Sequence, residues 1–228
     1  MKTKIIATIS PKLVGHTETY KQMLFSGVNI IRINLKYTTI EGFEKMREKT
    51  LRIKPETKIL ADIKKRSVLQ KLKNKKFDYL AISFAELPSE IKNIKKMFPR
   101  AKIISKIETK KGVMNIDNLI KGSDGIMIAR GDLGEQINIE KLPIIQKLIT
   151  KKCNKKKKMS ITATEIMPSM VHNKRPTRAE VSDIANAILE GADALLLAEE
   201  TAIGKYPALT VQTMKKIILE IERSKRKV

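Results

Sequence analysis

Two short segments carry the residues whose types and spacing could do chemistry. The segment ISKIET places Lys106 two residues before Glu108, and the segment ARGDLGEQI holds Asp132 in a glycine-rich turn. Mg²⁺ and Mn²⁺ prefer carboxylate oxygens, so Glu108 and Asp132 could share one such ion if neighbouring strands carry them. The Lys106 ammonium would then stabilise developing negative charge beside the ion. The turn Gly131–Gly134 would expose backbone N–H groups to a carboxylate or phosphate.

The same residues also permit an interpretation without chemistry. Lys106 with Glu108, and Arg130 with Asp132, could form ion pairs that close one rim of the fold, because structural ion pairs use the same residue types. A catalytic or metal-binding site requires more than these ion pairs, because both segments must then lie at the same site in the structure.

The elements that must position these segments alternate regularly along the chain. Eight short apolar runs are separated by stretches of helical character, as expected for parallel strands buried on both faces. The predicted strands are Lys4–Ile9, Asn29–Asn34, Lys58–Ile63, Tyr79–Phe84, Lys102–Ile107, Gly125–Arg130, Ser160–Thr164 and Ala194–Glu199. Eight βα units predict an α/β fold of the (βα)8 TIM barrel type, with an open doubly wound sheet as the alternative. No Pro/Gly/Ser-rich linker divides the chain, so we expect residues 1–228 to form a single domain.

Helical patterns fill the intervals between the predicted strands. The clearest predicted helices are Ile40–Arg52, Ser89–Phe98, Lys141–Lys152 and Leu209–Arg223. Thr177 and Glu180 have the spacing of a capping box, which predicts the start of a further helix, Arg178–Glu190, and a mainly structural role for this segment.

Polar residues gather at the carboxyl ends of the predicted strands. They are Arg32, Asn34, Asp62, Ser83, Lys106, Glu108, Arg130, Asp132, Thr164, Glu199 and Glu200. In a (βα)8 barrel these ends meet at one rim, which carries the active site. The pattern therefore favours a functional site. Taken singly, Thr164 is also an ordinary strand residue, and Asn34, Asp62 and Ser83 are ordinary turn or cap residues.

The charge of the chain narrows the choice of partners. Its 228 residues include 47 Lys and Arg against 24 Asp and Glu, a formal net charge of +23. Basic residues are spread along the sequence, apart from dense runs at Lys151–Lys158 and Ser224–Val228, and aromatic residues make up only 4%. Few side chains are thus available to stack on bases. We expect no specific nucleic-acid partner, only weak, salt-sensitive binding to polyanions.

The predicted location follows from three further features. No apolar run approaches the roughly 20 residues of a membrane span, and the N-terminus lacks the apolar region of a signal peptide. The single cysteine, Cys153, cannot form an intrachain disulfide. We therefore expect a protein of the reducing cytoplasm with no membrane partner.

Several longer segments resemble one known family. They are Thr3–Pro11, Gly27–Asn34, Ile104–Thr109, Gly125–Gly134 and Asn173–Pro207. In this order, from Thr3 to about Glu222, they are similar to pyruvate kinases, and ARGDLG and PTRAE are the most specific matches. The resemblance implies a barrel of the phosphoenolpyruvate/pyruvate-binding type. It also implies transfer of the phosphoryl group of phosphoenolpyruvate to ADP, which gives pyruvate and ATP in glycolysis.

The resemblance further implies roles for individual residues. Arg32 corresponds to the arginine that binds the transferring phosphate, and Lys106 to the lysine that neutralises this group in the transition state. Thr164 corresponds to the threonine associated with protonation of the enolate. Glu108 and Asp132 correspond to the ligands of the divalent ion, Mg²⁺ or Mn²⁺.

The remaining implied roles concern substrate and cations. The turn Ala129–Gly131 corresponds to the backbone that holds the substrate carboxylate. Ser83 belongs to the phosphate region, and Asn34 and Asp62 lie around the position of a monovalent cation. Glu200 corresponds to a glutamate near the water bound to the metal.

The sequence also departs from the family pattern. The family inserts a lid domain after the third barrel strand, but only about 15 residues separate Ile63 from Tyr79, so we expect no lid. The chain ends after the eighth helix, so we also expect the C-terminal regulatory domain to be missing. Leu69 stands where the family has a phosphate-contacting arginine, and Lys65 and Arg66 are the candidates to replace it.

Two substitutions change the expected cation requirement. Lys36 and Ile63 stand where the family has a serine and a threonine that ligate K⁺, so we hypothesise that the Lys36 ammonium replaces K⁺.

The lost lid leaves two alternatives to an active kinase: a non-catalytic paralogue that binds phosphoenolpyruvate and metal, and a metal-dependent enolate lyase. The family assembles through barrel and C-terminal contacts, so we expect a homodimer through barrel contacts alone.

Overall fold

Eight parallel strands close into a barrel in a computed structural model that describes residues 1–224. The strands are β1 (Lys4–Ile9), β2 (Ile30–Asn34), β3 (Lys58–Ile63), β4 (Tyr79–Ile82), β5 (Lys102–Ile107), β6 (Gly125–Ala129), β7 (Met159–Ala163) and β8 (Ala194–Leu197). Each strand pairs with its sequence neighbours, and β1 also pairs with β8. This closure confirms the predicted (βα)8 barrel and excludes the open doubly wound sheet.

Helices connect successive strands on the outside of the barrel. They are α1 (Pro11–Gly15), α2 (Thr17–Phe25), α3 (Ile40–Ile53), α4 (Val68–Leu72), α5 (Pro88–Met97), α6 (Lys110–Met114), α7 (Ile116–Gly122), α8 (Arg130–Gln136), α9 (Leu142–Lys155), α10 (Arg178–Glu190), α11 (Glu199–Ala202) and α12 (Pro207–Ser224). Across residues 1–224, none of these helices combines the length and the apolar character needed to cross a membrane. Of the basic run Ser224–Val228, only Ser224 lies within the described residues.

The observed strands end one or two residues earlier than predicted at four positions. Phe84 and Thr164 adopt left-handed backbone conformations, with φ of 51° and 70°, that a strand cannot contain. Arg130 and Glu199 begin α8 and α11 instead of ending strands. Each strand thus stops where its chain turns sharply towards the rim.

Apolar residues form two layers that hold the barrel together. The inner layer fills the barrel itself and includes Ile6, Leu60, Ile104 and Met127, all almost fully buried. The larger outer layer packs the strands against the helices. Cys153 belongs to this outer layer, and burial raises the pKa of its thiol to about 12, so the thiol is inert core rather than a nucleophile.

A repeated hydrogen bond fixes the amino-terminal end of the barrel. An Asn or Asp immediately before each even-numbered strand accepts the N–H of the second residue of the preceding odd-numbered strand. The four contacts are Ile5 to Asn29 (2.8 Å), Ile59 to Asp78 (2.9 Å), Ile103 to Asp124 (2.9 Å) and Ser160 to Asp193 (2.9 Å). They satisfy N–H groups that the strand ladder leaves unpaired, and so stabilise four strand pairs in turn.

The capping box at α10 is confirmed. The Thr177 side chain accepts the N–H of Glu180, and the Glu180 carboxylate accepts the N–H of Thr177. The same carboxylate also accepts the N–H and hydroxyl of Ser169, so it ties the loop after β7 to the helix. Gly191 ends α10 with φ of 98°, a conformation that favours glycine.

We predict that Asp193→Ala lowers the free energy of unfolding by about 1–3 kcal/mol, because it leaves the buried N–H of Ser160 without an acceptor. Chemical denaturation measures the loss. The control Asp117→Ala removes only a carboxylate that is 74% exposed, and should change stability by less than about 0.5 kcal/mol. Equal losses in the two variants would contradict a role for the Asn/Asp repeat.

Candidate functional site

A cavity of about 580 Å³ opens at the carboxyl ends of the strands. Its charged and polar lining includes Thr8, Arg32, Asn34, Lys36, Lys64, Ser83, Lys106, Glu108, Asp132, Thr164 and Glu199. Most of the predicted site residues therefore share one cavity at one rim, as the chemical interpretation requires. The cavity has a size typical of sites for small ligands.

Asp62 joins two cations from different strands. Its Oδ2 accepts the Nε–H of Arg32 at 2.8 Å, and its Oδ1 lies 3.3 Å from Nζ of Lys106. Arg32 also donates from Nη1 to Oγ1 of Thr8 at 3.0 Å. Asp62 is only 1% exposed, so this carboxylate is held inside the barrel mouth between the two positive groups.

The protonation state of Asp62 follows from these neighbours. Burial by itself would raise the pKa of the carboxyl group, but the charges of Arg32 and Lys106, with their hydrogen bonds, outweigh burial and hold the pKa below its usual value. Asp62 is thus an anion at neutral pH. It holds Arg32 and Lys106 close to each other despite their like charge.

Lys106 lies at the centre of the cluster. Besides Asp62, its Nζ donates to Oγ of Ser83 at 2.9 Å and lies 3.0 Å from Oε1 of Glu108. Lys106 is 7% exposed, and three oxygens fix its ammonium. The Lys106–Glu108 pair of the alternative interpretation therefore exists, but it forms part of a larger network inside the cavity.

Glu108 is oriented by the backbone of the neighbouring strand. Its Oε2 accepts the N–H of Phe84 at 2.5 Å, which the left-handed conformation of Phe84 directs towards it. Burial raises the pKa of Glu108, and the charge of Asp132 adds to the increase, while Lys106 and the Phe84 N–H reduce it.

The two carboxylates suit a divalent cation. Asp132 is exposed to the cavity mouth, and it makes no hydrogen bond or ion pair with residues 1–224, so its oxygens are available. Its negative charge acts unfavourably on Glu108, and a shared cation would remove this repulsion. Across the described residues, no group of three or more His, Cys, Asp or Glu side chains could hold a metal ion.

The turn after β6 is tied to the end of β7. Arg130 points away from the cavity: it donates to the carbonyl oxygens of Thr164 and Glu165 and pairs with Asp183 at 2.7 Å. The Arg130–Asp132 pair of the alternative interpretation therefore does not form. Gly131 donates its N–H to Oγ1 of Thr164 at 2.7 Å, so the turn and Thr164 form one unit, behind the almost fully buried Ala129.

The residues at the expected monovalent-cation position, Asn34 and Lys36, lie together along the cavity. The Lys36 ammonium lies 5.0 Å from the ring centroid of Tyr37, and Oδ1 of Asn34 accepts the Lys36 backbone N–H at 3.0 Å. Both residues still line the cavity. The flexible Lys36 side chain thus reaches the cavity region, while its ammonium stacks on an aromatic ring.

Two further residues have structural partners. Glu200 is buried, and it accepts the N–H groups of Met167 at 3.0 Å and Ala198 at 2.7 Å, which fixes the loops after β7 and β8. Arg66 pairs with Glu90 at 2.5 Å and donates to the carbonyl of Ser83, so its guanidinium is already engaged. Leu69 is buried in the outer layer.

Three contacts of the site were not predicted from the sequence. Thr8 supports Arg32, the Phe84 N–H orients Glu108, and Asp183 holds Arg130. Thr8 is a polar residue near the carboxyl end of the apolar run Lys4–Ile9, and this position is the one signal in the sequence. The roles of Phe84 and Asp183 depend on backbone angles and on long-range packing, which leave no local pattern.

The carboxyl-end rim of this (βα)8 barrel combines the cations Arg32 and Lys106 with the acidic side chains Glu108 and Asp132, an arrangement that could bind an anionic ligand. A family model described as the barrel domain of pyruvate kinase matches residues 56–211. The chain therefore belongs to the pyruvate kinase family.

Individual relatives give the same result. Pyruvate kinase of Methanocaldococcus jannaschii is 45% identical over 170 residues, which cover 72% of this chain and 38% of the relative. Pyruvate kinase of Geobacillus stearothermophilus is 47% identical over 152 residues, or 64% of this chain and 26% of the relative. The cytosolic isozyme of Glycine max is 43% identical over 153 residues, or 65% and 30%. The chain thus spans roughly a quarter to two fifths of the length of these relatives.

We predict that Asp62→Asn lowers the free energy of unfolding by about 3–5 kcal/mol, because the buried Lys106 and the partly buried Arg32 lose the anion between them. Denaturant titration measures the change. In the control Asp117→Asn the lost partner is Lys152, in an exposed pair, and the cost should stay below about 1 kcal/mol. A wild-type stability for Asp62→Asn would refute the central position of this carboxylate.

Proposed function

We propose that this barrel transfers the phosphoryl group of phosphoenolpyruvate to ADP and forms pyruvate and ATP. In this reaction an ADP oxygen forms a bond to phosphorus, the bond from phosphorus to the enol oxygen breaks, and the resulting enolate takes up a proton. The observation that supports the proposal is the buried Lys106 ammonium, which three side chains hold in the rim cavity close to Arg32.

Arg32 and Lys106 supply the positive charge that phosphoryl transfer needs. The transferring group carries negative charge on its equatorial oxygens, and fixed cations stabilise that charge without reorganisation. Asp62, Ser83 and Glu108 hold the Lys106 ammonium in place before substrate arrives. We assign Ser83 a second role as a hydroxyl donor to the substrate, since it also lines the cavity.

The turn Ala129–Gly131 and Thr164 serve the other end of the substrate. The Gly131 N–H is engaged by Oγ1 of Thr164, but the other first N–H groups of α8 have no partners within the helix, and they suit the carboxylate of an enolpyruvate. The Thr164 hydroxyl lines the cavity beside this turn, and we propose that it orients the water that delivers a proton to the enolate carbon. Glu200 holds the loops after β7 and β8, and so positions Thr164 indirectly.

Glu108 and Asp132 are the residues that would hold Mg²⁺ or Mn²⁺. When bound, such an ion would supply electrostatic stabilisation to substrate oxygens. Without it, the exposed Asp132 carboxylate would repel an anionic substrate. The buried Lys106 offsets the Glu108 charge, and Asp132 is therefore the residue whose charge most needs the ion.

One observation favours a second candidate, a non-catalytic protein that binds phosphoenolpyruvate and metal. Between Ile63 and Tyr79 the chain forms only α4 and its flanking turns, so no lid covers the cavity from this connection. Arg66, the candidate to contact a nucleotide phosphate, is engaged by Glu90. Lids exclude water and strengthen electrostatic interactions, so we expect weak ADP affinity and a low kcat.

We further propose that the chain acts in the cytoplasm as a single barrel domain that forms a homodimer. The Glycine max relative is a cytosolic isozyme, which supports the location. Ile144 and Leu148 are one turn apart on α9 and 68% and 46% exposed, and they offer an apolar contact surface for a second copy.

We predict that Lys106→Met lowers kcat by about 100-fold or more in a coupled assay with phosphoenolpyruvate, ADP and Mn²⁺. The reason is the loss of the fixed ammonium at the position of charge development. The control Lys110→Met removes an exposed lysine four residues further along, at the start of α6, and should leave kcat unchanged.

The same assay separates the two candidate functions. If the parent chain has no activity above the Lys106→Met background, while phosphoenolpyruvate and Mn²⁺ still bind together in calorimetry, the non-catalytic candidate is correct. Proton exchange into pyruvate without ADP would instead indicate an enolate lyase or a related reaction.

We also predict that activity is the same in K⁺ and in a bulky organic cation such as tetramethylammonium, because the Lys36 side chain supplies the monovalent charge. Lys36→Ser should then make activity depend on K⁺. A strong stimulation of the parent chain by K⁺ would disprove this role and leave Lys36 as a surface residue stacked on Tyr37.

A further inference from the structure

A second cavity, of about 570 Å³, lies at the opposite, amino-terminal mouth of the barrel. Five lysines, two aspartates, Asn154 and Tyr79 provide its polar lining. The lysines are Lys2, Lys4, Lys102, Lys157 and Lys158, which come from the start of the chain, two strands and the turn after α9. The five positive charges exceed the two negative charges, so the cavity attracts anions.

The aspartates of this cavity are mostly occupied. Asp124 accepts the N–H of Ile103 at 2.9 Å and pairs with Lys95 at 2.5 Å, so both its oxygens have partners. Asp193 uses Oδ2 for the N–H and hydroxyl of Ser160, and among residues 1–224 no hydrogen-bond partner contacts its Oδ1. The negative groups are therefore committed to the Asn/Asp repeat of the fold.

The lysines, in contrast, are largely free. Lys158 donates to the carbonyl of Ser123 at 2.7 Å. Within residues 1–224, the ammonium groups of Lys2, Lys4, Lys102 and Lys157 make no hydrogen bond or ion pair. Like charges gathered in a concave surface repel each other, and a bound polyanion would relieve this repulsion.

Tyr79 adds a neutral donor to the floor of the cavity. The residue is 7% exposed, and within residues 1–224 its hydroxyl has no hydrogen-bond partner, although the ring packs inside the barrel. Burial raises the pKa of the hydroxyl, and nearby Asp78 contributes, so the group stays protonated at neutral pH. A hydroxyl that lines the cavity and lacks a partner among the described residues is ready to donate to an anion.

The turn that carries Lys157 supports the same conclusion. Lys157 has φ of 52°, a left-handed conformation that glycine or asparagine adopts more readily. The lysine therefore occupies a position where another residue would be favoured, and its side chain lines the cavity.

We propose that this mouth is a second binding site, for a compact ligand that carries two or more phosphate groups. Clustered ammonium groups with one hydroxyl donor suit phosphate oxygens. The cavity volume is that of a small-molecule site, and no exposed aromatic ring in its lining would stack on a base. Inorganic oligophosphate and phosphorylated metabolites share this chemistry.

Isothermal titration calorimetry of the full chain with tripolyphosphate, and separately with 2,3-bisphosphoglycerate, tests the proposal at matched ionic strength. We expect Lys4→Ala combined with Lys102→Ala to weaken binding by about tenfold or more, and Tyr79→Phe by severalfold. The charge-matched control combines Lys92→Ala with Lys121→Ala, which are exposed lysines of α5 and α7 outside this cavity, and should change binding little. Arg32 and Lys106 are intact in all variants, so binding at the other rim contributes equally to each.

Binding of both probes would indicate that the site recognises the phosphate groups alone. Binding of only one probe would identify the ligand as an inorganic oligophosphate or as a phosphorylated metabolite. The proposal is overturned if the control pair weakens binding as much as the cavity pair, since the effect would then be general charge. It is also overturned if Tyr79→Phe has wild-type affinity. Binding of a single-stranded oligonucleotide but of neither small probe would assign the surface to nucleic acid instead.

Discussion

The structure at the rim depends on one constraint: a buried charge must have an opposite charge beside it. Asp62, almost fully buried, satisfies this requirement for Arg32 and Lys106 at once. Because the three residues come from β2, β3 and β5, the pairing also fixes how these strands present their ends. Glu108 and Ser83 complete the environment of Lys106, so five side chains form a network in which removing one leaves another unsatisfied.

The fold was almost entirely predictable from the sequence. The strands of a parallel barrel are buried on both faces, so runs such as Lys58–Ile63 stand out from the polar stretches around them, and their observed bounds agree. The errors lie at the rim, where Phe84 and Thr164 turn into left-handed conformations. These angles depend on tertiary contacts rather than on the local sequence, which is why the strand ends were predicted too far along.

The members of the site were also predictable, but their partners were not. Residues at strand ends must share a rim, so Lys106, Glu108 and Asp132 could be brought together by counting strands. The choice of ion-pair partner for each charged side chain depends on the strand register and on the length of the side chain. Arg130, for example, pairs with Asp183 at 2.7 Å rather than with Asp132, and these two residues are far apart in the sequence.

The Asn/Asp repeat at the amino-terminal end has a consequence for how this barrel can be divided. Each of its side-chain contacts joins an odd-numbered strand to the next even-numbered one, and none crosses from β2 to β3, from β4 to β5 or from β6 to β7. The barrel is thus built from four two-stranded modules, and each module contains one of these side-chain hydrogen bonds. New termini placed between modules would leave all four side-chain hydrogen bonds intact. Circular permutation or gene splitting at these three boundaries is therefore the natural way to study how the barrel assembles.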